Sequence, residues 1–344
     1  MWAELVVIGG KLLVLATILL TAVPVMVWVE RRGAAFIQDR LGPNRVGPMG
    51  LFQPIVDSVK LFFKEDVTPA GAHKWLYYLA PMISVFVALL TFIVIPFGDG
   101  RDVSVFGTPL GGLMVASGLE VGVLYLLAIS SLGVYGIVLA GWSSNNKYSL
   151  LGGLRSSAQL VSYELSMGLA VLGIVFATGS VQLDQVVAAQ AARLWNVVPQ
   201  LAGFVVFLTA AFAETNRLPF DLAEAETELV AGYHVEYSSM KFAAFMMSEY
   251  INMVTASALM VTLFFGGWTL PGVHLTGWLG LIVSHLVFLA KVSCFMWLFV
   301  WVRWSLPRFR YDQLMRLGWK GLLPLATLNL VWVAAAVAMK WTWI

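Results

Sequence analysis

A chain of 344 residues with 60% hydrophobic and only 12% charged residues is too poor in charge to clothe a water-soluble fold, because soluble domains carry roughly a quarter. Its 21 basic and 19 acidic residues leave a formal net charge of +2, with no basic stripe of the kind that follows a nucleic-acid backbone. A single cysteine, Cys294, excludes an internal disulfide and a cysteine-held iron-sulfur cluster within the chain.

Apolar runs long enough to cross about 30 Å of hydrocarbon fall near 5-29, 76-97, 111-140, 159-178, 198-213, 240-265, 278-302 and 322-344. They predict an all-α polytopic membrane protein of about eight spans forming one integral domain over 1-344, with the fifth span the shortest. The loops 30-75, 141-157, 214-239 and 303-320 hold fifteen Lys and Arg residues, whereas the opposite loops hold only Arg101 and Arg193. That asymmetry predicts that these four loops are cytoplasmic and, with eight spans, that both termini lie on the outer side. The first run lacks a basic leading region and ends on Glu30-Arg31-Arg32, so it is expected to be a retained helix rather than a signal peptide.

After the first span, Asp39 to Gly50 is dense in Gly and Pro and predicts turns. Gln53 to Glu65 then places Phe52, Ile55, Val56, Val59, Phe62 and Phe63 on one helical face and Asp57, Lys60 and Lys64 largely on the other. This pattern predicts an amphipathic helix lying on the cytoplasmic membrane surface. The third apolar run contains Glu120 and is lined by Gly111, Gly112, Gly118, Gly122, Gly133 and Gly136, small residues that permit close helix packing in lipid. Ser143 to Ser157 reads as a flexible polar loop leading to a helix in which Glu164 sits within two turns of the start. The segment 180-197 reads as a partly helical outer loop.

Glu214 to Glu236 carries six of the nineteen carboxylates, namely Glu214, Asp221, Glu224, Glu226, Glu228 and Glu236. A helix beginning after Pro219 would align Asp221, Glu224 and Glu228 on one face, where like charges destabilise it unless protons or cations meet them. Arg217, Arg31, Arg32, Arg40 and Arg45 are expected on the same side.

Glu120, Glu164, Glu249 and Lys291 fall inside or near apolar runs, with Glu214 at the edge of another. An unpaired charge at mid-span costs about 3 kcal/mol on insertion scales, so the set is expected to face shared water or to pair, as Lys291 could with a glutamate. A water-connected set of this kind is a candidate proton route. No glycine-rich dinucleotide fingerprint and no Walker motif appear, so electrons for any redox work must come from a partner.

Three stretches, G-P-N-R-V-G-P from Gly42, Q-P-I-V-D-S-V-K-L-F-F-K-E from Gln53, and A-E-T-N-R-L-P-F-D-L-A-E-A-E-T-E-L-V-A-G from Ala213, closely resemble the H-type subunit family of bacterial NADH-quinone oxidoreductases. This family is the counterpart of mitochondrial NADH dehydrogenase subunit 1, and the likeness extends over essentially the whole chain. The resemblance implies a membrane-arm subunit of respiratory complex I, a proton-translocating translocase of the electron-transport chain. It would carry no complete active site of its own, but would help to form the quinone chamber and couple quinone reduction to pumping.

The resemblance further implies that iron-sulfur clusters and FMN reside in partner subunits, including the one carrying the terminal cluster, and that the substrate is a quinone. Ubiquinone is the expected quinone on family likeness alone. Carried over by position, Arg31, Arg32, Arg45, Gln53, Asp57, Phe62 and Arg217 would line the quinone site or its entrance. Glu120, Glu164, Glu214, Asp221, Glu224, Glu226, Glu228, Glu249 and Lys291 would serve proton coupling. Two other functions fit the same composition, a stand-alone proton-coupled transporter and a structural anchor for a peripheral redox enzyme. A transporter would concentrate its carboxylates at mid-membrane in paired repeats, and an anchor would not need acids within spans.

Overall fold

The computed structural model describes residues 2-341 apart from 101, 106-107, 117-118, 224-229 and 273-275. Helix α1 runs Trp2–Ile37 and contains Pro24, the surface helix α2 runs Gln53–Phe63, and α3 runs Lys74–Leu90 around Pro81. Next come α4 over Gly122–Ser143, α5 over Lys147–Thr178, the short α6 over Leu183–Ala192 and α7 over Leu201–Glu214. The chain closes with α8 over Ser239–Phe264, α9 over Gly277–Ser305, α10 over Tyr311–Arg316 and α11 over Leu323–Ala338.

Seven of these helical stretches are long and apolar enough to cross a membrane, the last being the joined Tyr311–Ala338. The remaining expected span is α7, only 14 residues and about 21 Å long at 1.5 Å per residue. A two-residue strand pair, Ser104 against Pro109 and Val105 against Thr108, marks the loop between α3 and α4.

Hydropathy misplaces several boundaries, for physical reasons. The third span begins at Gly122 rather than 111, because Gly111 and Gly112 adopt φ of 54° and 66° in a turn that a helix cannot include. Glu120 therefore lies exposed ahead of α4 and not within a span. The predicted loop 141-157 is mostly helix. Only Ser144, Asn145 and Asn146 separate α4 from α5, and the Asn146 side chain accepts the Tyr148 N–H at 2.9 Å to cap α5. Glu164 is then about 26 Å along the helix from Lys147 at 1.5 Å per residue, far from the terminus where a dipole would favour it. The loop 303-320 likewise shrinks to residues 306-310.

Residues Leu317–Leu322 form a π turn between α10 and α11. Here the Tyr163 hydroxyl of α5 donates to the Leu314 carbonyl at 2.9 Å, and the Trp319 indole donates to Ser162 at 3.2 Å. A carbonyl drawn to a side-chain donor is one way a helix tolerates such a slip in register.

The four basic loops gather at one end of the bundle. His73 donates its N–H to the Ser143 carbonyl at 2.9 Å, Tyr77 its hydroxyl to the Glu236 carbonyl at 2.6 Å, and Phe309 its N–H to the Pro219 carbonyl at 3.1 Å. At the opposite end Val123 donates to Val181 at 3.0 Å and Val197 to Phe264 at 3.1 Å.

Small residues set the helix spacing, as they must where lipid tails give no hydrophobic drive between helices. A Cβ on Gly152 would fall 2.7 Å from the Gly232 Cα and the Tyr233 N, whereas one on Gly168 of the same helix would meet nothing within 4 Å. Gly152→Ala is accordingly expected to destabilise the chain by about 1–3 kcal/mol through overpacking against backbone. Gly168→Ala should be neutral or stabilising by up to about 1 kcal/mol. Detergent-micelle unfolding titrations of the two purified variants measure the contrast.

Candidate functional site

The site is built on a charge cluster that joins α1, the loop after α7, α8 and α9. Arg217 is 4% exposed. Its Nη1 donates to Glu30 Oε2 at 3.1 Å, its Nε lies 2.5 Å from Glu249 Oε1, and its guanidinium sits 4.4 Å from the Tyr250 ring centre. Glu30 also accepts the Tyr250 hydroxyl at 2.8 Å and pairs with Arg303. Burial alone would disfavour the charge on Arg217, but Glu249 and Glu30 hold its pKa well above the ordinary value. Two acids and two arginines sum to zero charge, which offsets the cost of burying Arg217 and the two glutamates, with Arg303 at the partly exposed edge.

Beside the cluster lies a narrow chamber of about 90 Å³ between α3, α4, α5, α7 and α8. Glu164, Glu214 and Glu249 all line it, together with Ser130, Ser131, Asn216, Asn252 and Thr255. Each of the three glutamates is half-buried. A polar lining of this kind can hold water, because each ordered water needs two to four polar partners. Toward the other end of the bundle the lining turns apolar, with Val123, Leu183, Leu259 and Leu263.

Near the chamber the loop end is held by aromatic stacking and hydrogen bonds. Tyr77 and Tyr237 stack at 4.2 Å, and Glu236 accepts the Asn146 amide at 2.6 Å. Burial pushes His234 down to about 4 and Tyr237 up to about 12, the latter opposed by the Ser143 and Ser144 hydroxyls. Both are therefore neutral at pH 7. At the start of the acidic loop Asp221 accepts from Arg308 at 2.9 Å, and Phe220 stacks on Phe309 at 5.5 Å. Glu224, Glu226 and Glu228 lie outside the described residues, as does most of the helix expected after Pro219.

The remaining predicted residues fall into two groups. On α2, Asp57 pairs with Arg31 of α1 and accepts the Gln53 amide at 3.0 Å, while Phe62 is 67% exposed and Arg45 lies exposed in a turn. The Ser239 hydroxyl, donating to the Leu61 carbonyl at 2.9 Å, ties the end of α2 to α8. Arg32 instead donates to the Met49 carbonyl at 2.8 Å.

Lys291 and Glu120 do not join the site. Lys291 donates to the Phe265, Gly267 and Thr269 carbonyls at 2.8, 2.9 and 2.7 Å and lies 4.6 Å from the Trp195 ring. The expected pairing of Lys291 with a glutamate is thus replaced by capping of the α8 C-terminus, where carbonyls lack helix partners. Glu249 takes Arg217 as its partner instead.

Sequence reasoning missed Glu30, Tyr250 and Arg303, and the pairing of Arg308 with Asp221. Glu30 and Arg303 stand where apolar runs end, which reads as topology. The one available signal was that Glu30 is the only carboxylate at the end of the first run, directly before two arginines.

Removing Arg217 would leave Glu30 and Glu249 without their shared cation. Arg217→Met is expected to destabilise the chain by about 3–5 kcal/mol. The added loss should shrink when Glu249→Gln is already present, because the pair couples directly. A double-mutant cycle of micelle unfolding midpoints tests this, and additive losses would show the two side chains to be independent.

Residues 10–334 match the family model described as NADH dehydrogenase. The chain is 49% identical to the second H-type subunit of NADH-quinone oxidoreductase in Koribacter versatilis, with 96% of each chain covered. It is 50% identical to the H-type subunit of the same enzyme in Leptospira biflexa serovar Patoc, over 94% of this chain and 92% of that protein. It is also 48% identical to NADH-quinone oxidoreductase subunit 8 of Rhodothermus marinus, over 95% and 96%. With a buried ionic cluster, a glutamate-lined chamber and this likeness along nearly its full length, the chain belongs to the NADH dehydrogenase family, as an H-type subunit of the multi-subunit NADH-quinone oxidoreductase.

Proposed function

We propose that the chain forms part of a quinone-binding chamber and its entrance, and that it couples quinone reduction to proton translocation through its carboxylates. The observation that carries this is the single chamber shared by Glu164, Glu214 and Glu249, with Glu249 also bound to Arg217. One residue thus belongs both to a polar-lined chamber and to a charge network that reaches the loop end.

Reducing a quinone to a quinol takes two electrons and two protons. The electrons come from the iron-sulfur cluster of a partner subunit fed by FMN, and the substrate is ubiquinone by family likeness. The acidic loop, beginning at Asp221 and running through Glu224, Glu226 and Glu228, supplies or senses the protons. A unit charge removed at about 10 Å alters the potential by about 1.7 kcal/mol at an effective dielectric of 20. That is enough to change proton occupancy at a carboxylate more than tenfold. Glu249 would transmit such a change into the chamber. The basic-loop end is taken to face the cytoplasm, with both termini periplasmic.

At the entrance the α2 face bearing Ile55, Val59 and Phe62 is exposed and suits a lipophilic substrate arriving from the membrane. The Arg31, Asp57 and Gln53 triad holds that helix against α1. Membership of a family of subunits favours this function over a stand-alone transporter. A plain anchor would have no use for three acids round one chamber.

In the assembled complex, Glu214→Gln and Glu228→Gln are expected to lower quinone reductase activity and pumping at least about tenfold, with donor-side oxidation by an artificial acceptor retained. Unchanged turnover and pumping in both variants would remove the case for these carboxylates.

Phe62→Ala should raise the quinone KM by roughly tenfold, the effect of losing about 1.4 kcal/mol of apolar contact. Asp57→Ala should act in the same direction. Steady-state kinetics against the artificial-acceptor rate check both, and equal losses in the two assays would point to failed assembly.

A further inference from the structure

A second groove lies at the basic-loop end, on the side of α1 that faces α9. It is about 370 Å³, and its walls are Trp28, Arg32, Phe36, Arg40, Leu41 and Trp297. Among the described residues no carboxylate lines it. Arg31 and Arg32 are adjacent on a helix, where successive residues turn by about 100°. Arg31 therefore reaches α2, while Arg32 belongs to this separate groove.

Gly33 forms the floor, where a Cβ would fall 2.9 Å from Val300 Cγ1 and 3.0 Å from the Trp297 ring. Only a residue without a side chain lets α1 and α9 meet this closely, so the groove exists because of that contact. Arg32 uses one donor on the Met49 carbonyl and stacks 5.7 Å from the Trp28 ring. Arg40 Nε donates to Gln38 at 2.7 Å. A guanidinium has five donors, so both arginines are held in place with donors to spare. The neighbouring Glu30 is already matched by Arg217 and Arg303, and Asp39, next to Arg40, is not part of the wall. The apolar rim consists of Phe36 at 80%, Leu41 at 88% and Trp297 at 41% exposure.

We propose that this groove binds an anionic phospholipid, the phosphate ester held by Arg32 and Arg40, the glycerol region against Trp28 and Trp297, and the acyl chains leaving past Phe36 and Leu41. Two fixed cations without a balancing acid call for an anion. Tryptophans and exposed aliphatic groups beside them, at the end of a membrane-crossing helix, call for one that carries hydrocarbon. A neutral quinone headgroup would leave both charges unmatched.

The test places a photoactivatable benzophenone amino acid at Leu41 in the assembled complex, reconstituted in nanodiscs of phosphatidylcholine with or without phosphatidylglycerol. Irradiation followed by mass spectrometry identifies the adduct. The expected result is a phosphatidylglycerol adduct favoured over phosphatidylcholine, with the preference falling about fivefold in Arg40→Gln and further in Arg32→Gln/Arg40→Gln, on the order of 1 kcal/mol per arginine.

Equal yields from the two lipids, or a preference unchanged in Arg40→Gln, would overturn the proposal. Adducts to a neighbouring subunit in place of lipid would overturn it in favour of a protein contact. Loss of the lipid adduct in excess inorganic phosphate would overturn the lipid assignment and leave a free-anion site. If the double variant fails to assemble, Arg40→Gln alone still decides between these outcomes.

Discussion

The buried guanidinium of Arg217 is the constraint on which the arrangement of this bundle depends. Placing it 4% exposed is tolerable only because Glu30 comes from α1 and Glu249 from α8, and Glu30 in turn is shared with Arg303 of α9. Such a network adds little net stability over a well-packed apolar core, since desolvation of each ion offsets most of the attraction. What it does impose is register. Sliding any one of the three helices by a turn, about 5.4 Å, would strand a charge in a medium that penalises it heavily, so the ions select one packing from several that apolar side chains alone would accept.

That selection also fixes the chamber. Glu249 and Tyr250 are neighbours in α8, and the helix directs Tyr250 toward Glu30 while Glu249 meets both Arg217 and the chamber. Glu214 ends α7 three residues before Arg217 and inherits its position from the same anchor. Glu164 reaches the chamber from deep within α5, whose small buried residues, Ser149, Gly152, Gly153 and Ser156, allow it to run close to α4 and the 232–237 segment. Glu30, Glu164, Glu214 and Glu249 are thus placed by helices, the more rigid option, while Arg217 in the loop after α7 is held by its ion pairs to Glu30 and Glu249.

Much of this was legible in the sequence, and the exceptions have identifiable causes. Hydropathy detects contact with lipid, and therefore found the apolar runs and the basic end. It missed the first half of α5, because Ser149, Gly152 and Ser156 are polar or small yet buried against protein. The opposite error occurred at Gly111 and Gly112, greasy surroundings with backbone angles no helix accepts. The acid-bearing motif stood out by composition, and Glu164, Glu214 and Glu249 line one chamber. Lys291 went astray because its partners are main-chain carbonyls exposed by the turn at Gly266 and Gly267, which carry no signature in side-chain identity. Glu30 was hidden by its position, where charge is ordinarily a boundary marker.

The apolar closure at the far end of the chamber separates its polar-lined part from the opposite end of the bundle. Val123, Leu183, Leu259 and Leu263 offer water no partner, and a chain of hydrogen-bonded molecules breaks where partners run out. As folded, the polar side chains of the chamber therefore gather toward the basic-loop end, and its opposite end presents only hydrocarbon.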